Sequence, residues 1–150
     1  MATANTIRRI KKEFDDIVKE NDADYSVQMP IPDNLFNWEA IVSGPPDSVY
    51  EGIHYKLKIE FPERYPFVPP KITFITPIYH ANVMLTTGEI CLDILKDNWS
   101  PALTISKIIV SLRLLMAAPN VSSALNHDAG ILFEKDIAAL KAKVQAMASE

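Results

Sequence analysis

The chain has 150 residues, 48% of them hydrophobic and 23% charged, with a net charge of −4 at neutral pH. That balance fits one domain over residues 1–150 with a full core; it excludes a disordered chain and gives no bulk attraction to nucleic acid or an anionic membrane. One cysteine permits no disulfide, its spacing to three scattered histidines suits no zinc site, and no apolar run reaches the ~18 residues of a membrane span. No N-terminal stretch has the pattern of a signal peptide, so the expected setting is reducing and cytoplasmic, without metal, nucleic acid or membrane insertion.

In "NTIRRIKKEFDDIVKE" the residues Ile7, Ile10, Phe14, Ile17 and Val18 recur with helical spacing and predict an opening helix with that apolar face. Arg8, Arg9, Lys11 and Lys12 crowd its first turns, either as a solvated face or as a dock for an acidic partner. "GIHYKLKIEF" alternates strictly, with Ile53, Tyr55, Leu57, Ile59 and Phe61 on one side, which predicts a half-buried antiparallel strand with His54 outward. "DYSVQMPI", "FNWEAIVSG" and "KITFIT" are weaker strand signals, so a four-stranded meander follows the helix.

Prolines 62, 66, 69, 70 and 77 confine regular structure between residues 62 and 77 to short pieces. No periodicity returns until Thr104, and so long an irregular stretch inside a compact domain is usually functional. Ile105, Ile108, Ile109, Leu112 and Leu115 then predict an apolar helix ending before Pro119. Phe133, Ile137, Leu140, Val144 and Met147 predict another near the C-terminus, and a short helix around 124–133 is weakly indicated. The fold class is therefore α+β.

The irregular stretch contains Cys91, in "GEICLDIL". Flanked by Ile90 and Leu92, a lone cysteine is more often packing than catalyst, but the loop setting can present a thiol. A thioester suits one task in particular: it is reactive enough to pass to an amine and survives in water long enough to be carried. A hydrolase would need a base against the sulfur, and His80 in "YHAN" fits a role tying its own loop at least as well. Asn82 is either an amide donor to a tetrahedral oxyanion or a turn residue.

"NWEAIVSGP", "FPERYPFVPPKITF", "YHANV", "GEICLDIL" and "WSPALTI", in that order, resemble the ubiquitin-conjugating enzymes over about residues 5–148. The resemblance implies an N-terminal helix, a four-stranded antiparallel sheet, an active-site loop region and C-terminal helices. It makes Cys91 the thioester-forming nucleophile and Asn82 the amide that supports transfer. It implies no resident cofactor, since ATP is used by the activating enzyme. The implied partners are ubiquitin, the activating enzyme, ligases of RING or HECT type and protein substrates. Arg8, Arg9 and Lys12 would meet the activating enzyme, while Phe67 and the turn Ser100, Pro101 and Ala102 would meet ligases.

The chain departs from the family pattern in three places. Ala81 stands where proline is usual, which removes a fixed φ and predicts a looser loop. "VMLTT" between Asn82 and Gly88 is one residue longer than in the shortest relatives. Ser122 and Ser123 stand where many relatives carry acids, so either the chain is slow with lysine or another group takes the acid's place: Asp128, Asp93, or Ser123 once phosphorylated. The longer loop, "GEICLDILK" and "LNHDAG" resemble the peroxisomal, peroxin-type branch, whereas "ILKDNWSPAL" and "APN" resemble a branch that builds non-degradative chains. The nucleus and the peroxisomal surface thus stand beside the cytoplasm as locations.

Overall fold

Thr3 starts the first helix of the computed structural model, which describes residues 1–150. Its hydroxyl accepts from the Thr6 N–H at 3.1 Å and satisfies an otherwise orphaned donor, so helix α1 runs Ala4–Glu20. Asn21 closes it in the left-handed region at φ 50. The strands follow as β1 Tyr25–Gln28, β2 Asn37–Ser43, β3 His54–Glu60 and β4 Lys71–Phe74, all antiparallel in the order β1-β2-β3-β4. Helix α2 covers Ile105–Ala117, α3 His127–Lys135 and α4 Ile137–Ala148. The predicted α+β order is borne out.

The core forms where the alternations of β2 and β3 coincide. Trp38 lies opposite Ile59, Ala40 opposite Leu57 and Val42 opposite Tyr55, and all six are buried. A one-residue slip would turn this whole face to water, so the register is held by burial itself. Ile10 and Ile17 of α1 and Ile105, Ile108, Ile109 and Leu112 of α2 complete the same cluster. His54 is exposed, as the strand pattern requires.

Two helical expectations are corrected. On α1, Ile7 and Val18 are exposed, while Thr6 and Glu13 are buried beside Ile10 and Ile17. The inward face holds polar groups because they have partners there. Glu13 accepts from Arg9 Nε at 2.8 Å, from the Tyr65 hydroxyl at 2.6 Å and from the Ile105 N–H at 2.8 Å, which ties α1 to the proline-rich loop and to the start of α2. Near the C-terminus, the stretch from Phe133 to Met147 is two helices. Asp136 ends α3 and then caps α4 by accepting from the Ala139 N–H at 3.1 Å, with a φ of −154 that no helix continues through.

Candidate active site

The chain between β4 and α2 is held by hydrogen bonds that join residues far apart in sequence. Gly88, at φ +76, lets the segment fold back onto β4; a Cβ there would lie 2.2 Å from the Phe74 carbonyl oxygen, so only glycine fits. Single bridges then pair Thr73 with Glu89 and Val83 with Ile90. The Cys91 N–H donates to the Asn82 carbonyl at 2.8 Å, which sets the half-buried thiol beside the "YHAN" loop.

His80 is 1% exposed and both its ring nitrogens are engaged. Nε2–H donates to the Leu115 carbonyl at 2.9 Å, and Nδ1 accepts from the Asn82 N–H at 2.9 Å. Burial, only partly opposed by the carbonyl contacts, lowers its pKa from 6.5 to about 4. A neutral imidazole with no free nitrogen is no base for Cys91, so the structure gives a cysteine hydrolase nothing to work with. Its titration also carries a prediction. The unfolded chain takes up a proton as pH falls below 6.5 while the native chain does not until about 4, so this part of the stability is present above 6.5 and lost across that window. The loss is on the order of 3 kcal/mol. Urea unfolding at several pH values should show this slope in the wild type and lose it in His80→Gln; equal slopes would contradict the assignment.

Asn82 is fully buried, and its amide spans the loop 120–123. Nδ2 donates to the Asn120 carbonyl at 2.8 Å and the Ser123 carbonyl at 3.3 Å, while Oδ1 accepts from the Asn120 N–H at 2.9 Å. The Ala81 carbonyl accepts from Leu125 at 2.7 Å and Asn126 at 3.0 Å. The loop that lacks proline is thus tied down from the opposite side.

Cys91 opens onto a cavity of about 370 Å³ lined also by Leu92, Asp93, Lys96, Asp97, Leu115, Asn120 and Ser123. Asp93 and Ser123 are therefore brought to the nucleophile. Asp128 is not among the lining residues; it sits in the first turn of α3, where burial and then its charge raise the Tyr79 phenol.

A family model for ubiquitin-conjugating enzymes matches residues 9–148, nearly the whole chain. The chain belongs to the ubiquitin-conjugating enzyme family. As a ubiquitin-conjugating enzyme it acts in the conjugation pathway with ubiquitin, an activating enzyme and ligases as general classes of partner. No helix of this enzyme is long and apolar enough to cross a membrane.

The residues expected to meet partners lie at one end of α1. Arg8 and Lys12 are exposed, Arg8 contacting Asn5 and Lys12 pairing with Asp16 at 3.0 Å. Arg9 is different: besides Glu13, its guanidinium donates to the Pro101 and Leu103 carbonyls at 2.9 and 2.8 Å, so much of its bonding capacity is spent inside the fold. Phe67 is 73% exposed, and Ser100, Pro101 and Ala102 are exposed close by. Trp99 Nε1–H donates to the Pro66 carbonyl at 2.9 Å and so draws the two loops together. Glu13, which ties α1 to both of these loops, is a residue that hydropathy passes over. Glu13 could have been found as a carboxylate at helical spacing between Ile10 and Ile17.

Proposed function

We propose that Cys91 accepts ubiquitin as a thioester from the activating enzyme and passes it to a lysine or another nucleophile of a substrate. The Cys91 thiolate attacks the incoming thioester carbonyl, a new C–S bond forms, and the donor's thiolate leaves. An amine then attacks the same carbonyl, forms an amide and releases Cys91. The observation that carries this reading is a thiol on an open cavity with no histidine nitrogen free to activate water. A carrier must hold its acyl group without hydrolysing it. An inactive binding variant of this fold would lack the cysteine, and this chain has it.

The test is incubation with activating enzyme, ATP and ubiquitin. The reading expects an ATP-dependent adduct that reductant removes; no adduct, with other ubiquitin-like modifiers failing or succeeding in ubiquitin's place, would overturn ubiquitin as the cargo.

The whole of residues 1–150 works as one conjugating domain in this reading, in the cytoplasm. Arg8 and Lys12 meet the activating enzyme, with Arg9 holding the loop beneath them. Phe67, Ser100, Pro101 and Ala102 form a RING- or HECT-type ligase surface, with the exposed ring as anchor. The peroxin-type branch draws no support from the family match, which covers the family as a whole. The gate on lysine attack is Asp93 or Ser123, since both line the cavity and Asp128 does not. Ser123→Asp should raise discharge to free lysine several-fold at an unchanged loading rate by placing a carboxylate beside the entering amine. Unchanged discharge in Ser123→Asp, with a loss in Asp93→Ala, would assign the gate to Asp93 alone.

A further inference from the structure

Besides the thiol, the cavity at Cys91 has three side chains on its wall that can donate a hydrogen bond: Lys96, Asn120 and Ser123. Lys96 and Ser123 are bonded through their backbones alone, so nothing fixes the ammonium or the hydroxyl in one place. Asn120 is held at three points. Its N–H donates to Asn82 Oδ1 at 2.9 Å, its carbonyl accepts from Asn82 Nδ2 at 2.8 Å, and its own Oδ1 accepts from the Ser122 hydroxyl at 2.7 Å. Ser122 lies in the single 3-10 turn Val121–Ser123 that follows directly, so the orienting group is local. Because the hydroxyl takes the amide's oxygen, Asn120 Nδ2 keeps both its protons free of the protein, at an exposed residue of the cavity wall. A carboxylate at position 122 could only accept and would claim that Nδ2 instead. Asn82 is the opposite case, with both Nδ2 protons committed to backbone carbonyls.

We propose that Asn120 is a further catalytic residue, whose side-chain amide donates to the oxyanion formed during transfer, and that Ser122 is the positioning residue that turns this amide for the task. The inference rests on the thioester reading of Cys91 and adds a second donor to it, one that serves without breaking a tether. As the uncharged amine attacks the thioester carbonyl carbon, a C–N bond forms and the carbonyl oxygen takes the negative charge, which Asn120 Nδ2–H stabilises. The charge then returns to reform the carbonyl, the C–S bond breaks, and its electron pair leaves with the Cys91 sulfur. The surplus amine proton passes to the Asp93 carboxylate on the same cavity wall, or to water. A donor contributes most when it is already in place, and Asn120 is fixed on both backbone sides by Asn82 and at its side chain by Ser122. Asn82 holds the wall, and Asn120 carries the donor that the wall presents.

The experiment loads the full chain with ubiquitin in a single turnover, removes ATP, and follows discharge of the thioester to free lysine and, separately, to hydroxylamine. Asn120→Ala is a clean variant, because both Asn82 tethers end on the backbone of residue 120 and survive it; its melting temperature should match the wild type. Discharge to both nucleophiles should fall by the same factor, at least ~10-fold, since the oxyanion forms whichever amine attacks, while loading by the activating enzyme stays within ~2-fold. Ser122→Ala should lose less than Asn120→Ala, and the double variant no more than Asn120→Ala alone, because Ser122 acts only through that amide. Discharge at the wild-type rate in Asn120→Ala, a loss confined to lysine, or an equal loss of loading and discharge would each overturn the donor. Additive losses in the double variant would overturn the role of Ser122. Failure of the wild type to load would instead overturn the assignment of Cys91, and this step with it.

Discussion

Cys91→Ser should abolish the reductant-sensitive adduct and yield in its place a slowly formed ester that reductant leaves intact. A serine hydroxyl is a far weaker nucleophile than a thiolate at neutral pH, and no free histidine nitrogen is available to activate it, so the expected fall in loading rate is ~10²-fold or more. The product is longer-lived because an alkoxide is a poorer leaving group than a thiolate. The substitution changes one atom at a half-buried position, so the fold should be unaffected. A thiol-sensitive adduct persisting in this variant would place the nucleophile elsewhere, although no other thiol exists in the chain.

Asn82→Ala is the second large effect, and the structure sharpens what it means. Loading should be spared while discharge to free lysine falls ~10²-fold or more, the loss expected when an amide donor to a developing oxyanion is removed. Yet both Nδ2 protons are already used, on the Asn120 and Ser123 carbonyls. The amide can serve the oxyanion only by giving up one of them, so a resting tether and a transition-state donor compete for the same group. Removing the side chain also takes the acceptor from the Asn120 N–H and unties the loop 120–123 from this wall of the site. Stability and discharge should therefore both fall in the alanine variant, and discharge measured well below its melting temperature separates them. Equal loss of loading and discharge would point to collapse of the cavity wall at 120–123 instead of a lost donor.

The sheet could be read from the sequence because its physics is local. β3 alternates since one face is buried and the other wet, and the partners of Tyr55, Leu57 and Ile59 on β2 carry the matching pattern. Helix α1 was legible as a helix, but its inward face was not. Hydropathy places Ile7 and Val18 inside and Glu13 outside, because it has no means of seeing that Arg9, Tyr65 and Ile105 satisfy the carboxylate. Asp136 hid the break between α3 and α4 for a similar reason. The apolar spacing runs through it, while the cap that splits it is a single side chain.

The site was least legible of all. Asn82 meets Asn120 across 38 residues, and His80 meets Leu115 across 35. Such contacts leave no period, only the residue types at their two ends. Cys91 drew attention through the order of motifs around it, not through its apolar neighbours. At His80, which local sequence leaves open between base and loop tie, both ring nitrogens are occupied by backbone groups of the loop and of α2. What local sequence left open at Asn82, donor or turn residue, has become a question of competition between two sets of partners.

Cys91, as proposed above, holds an acyl group and yields it to an amine. The most direct test of that step is a pulse and chase on the wild-type chain, in which the enzyme is loaded, ATP is removed, and free lysine is added while ubiquitin is followed by intact mass. The Cys91 thioester should disappear at a rate that rises with lysine concentration, as ubiquitin bearing one lysine appears in equal amount. Thioester loss indifferent to lysine, with only free ubiquitin released, would contradict it.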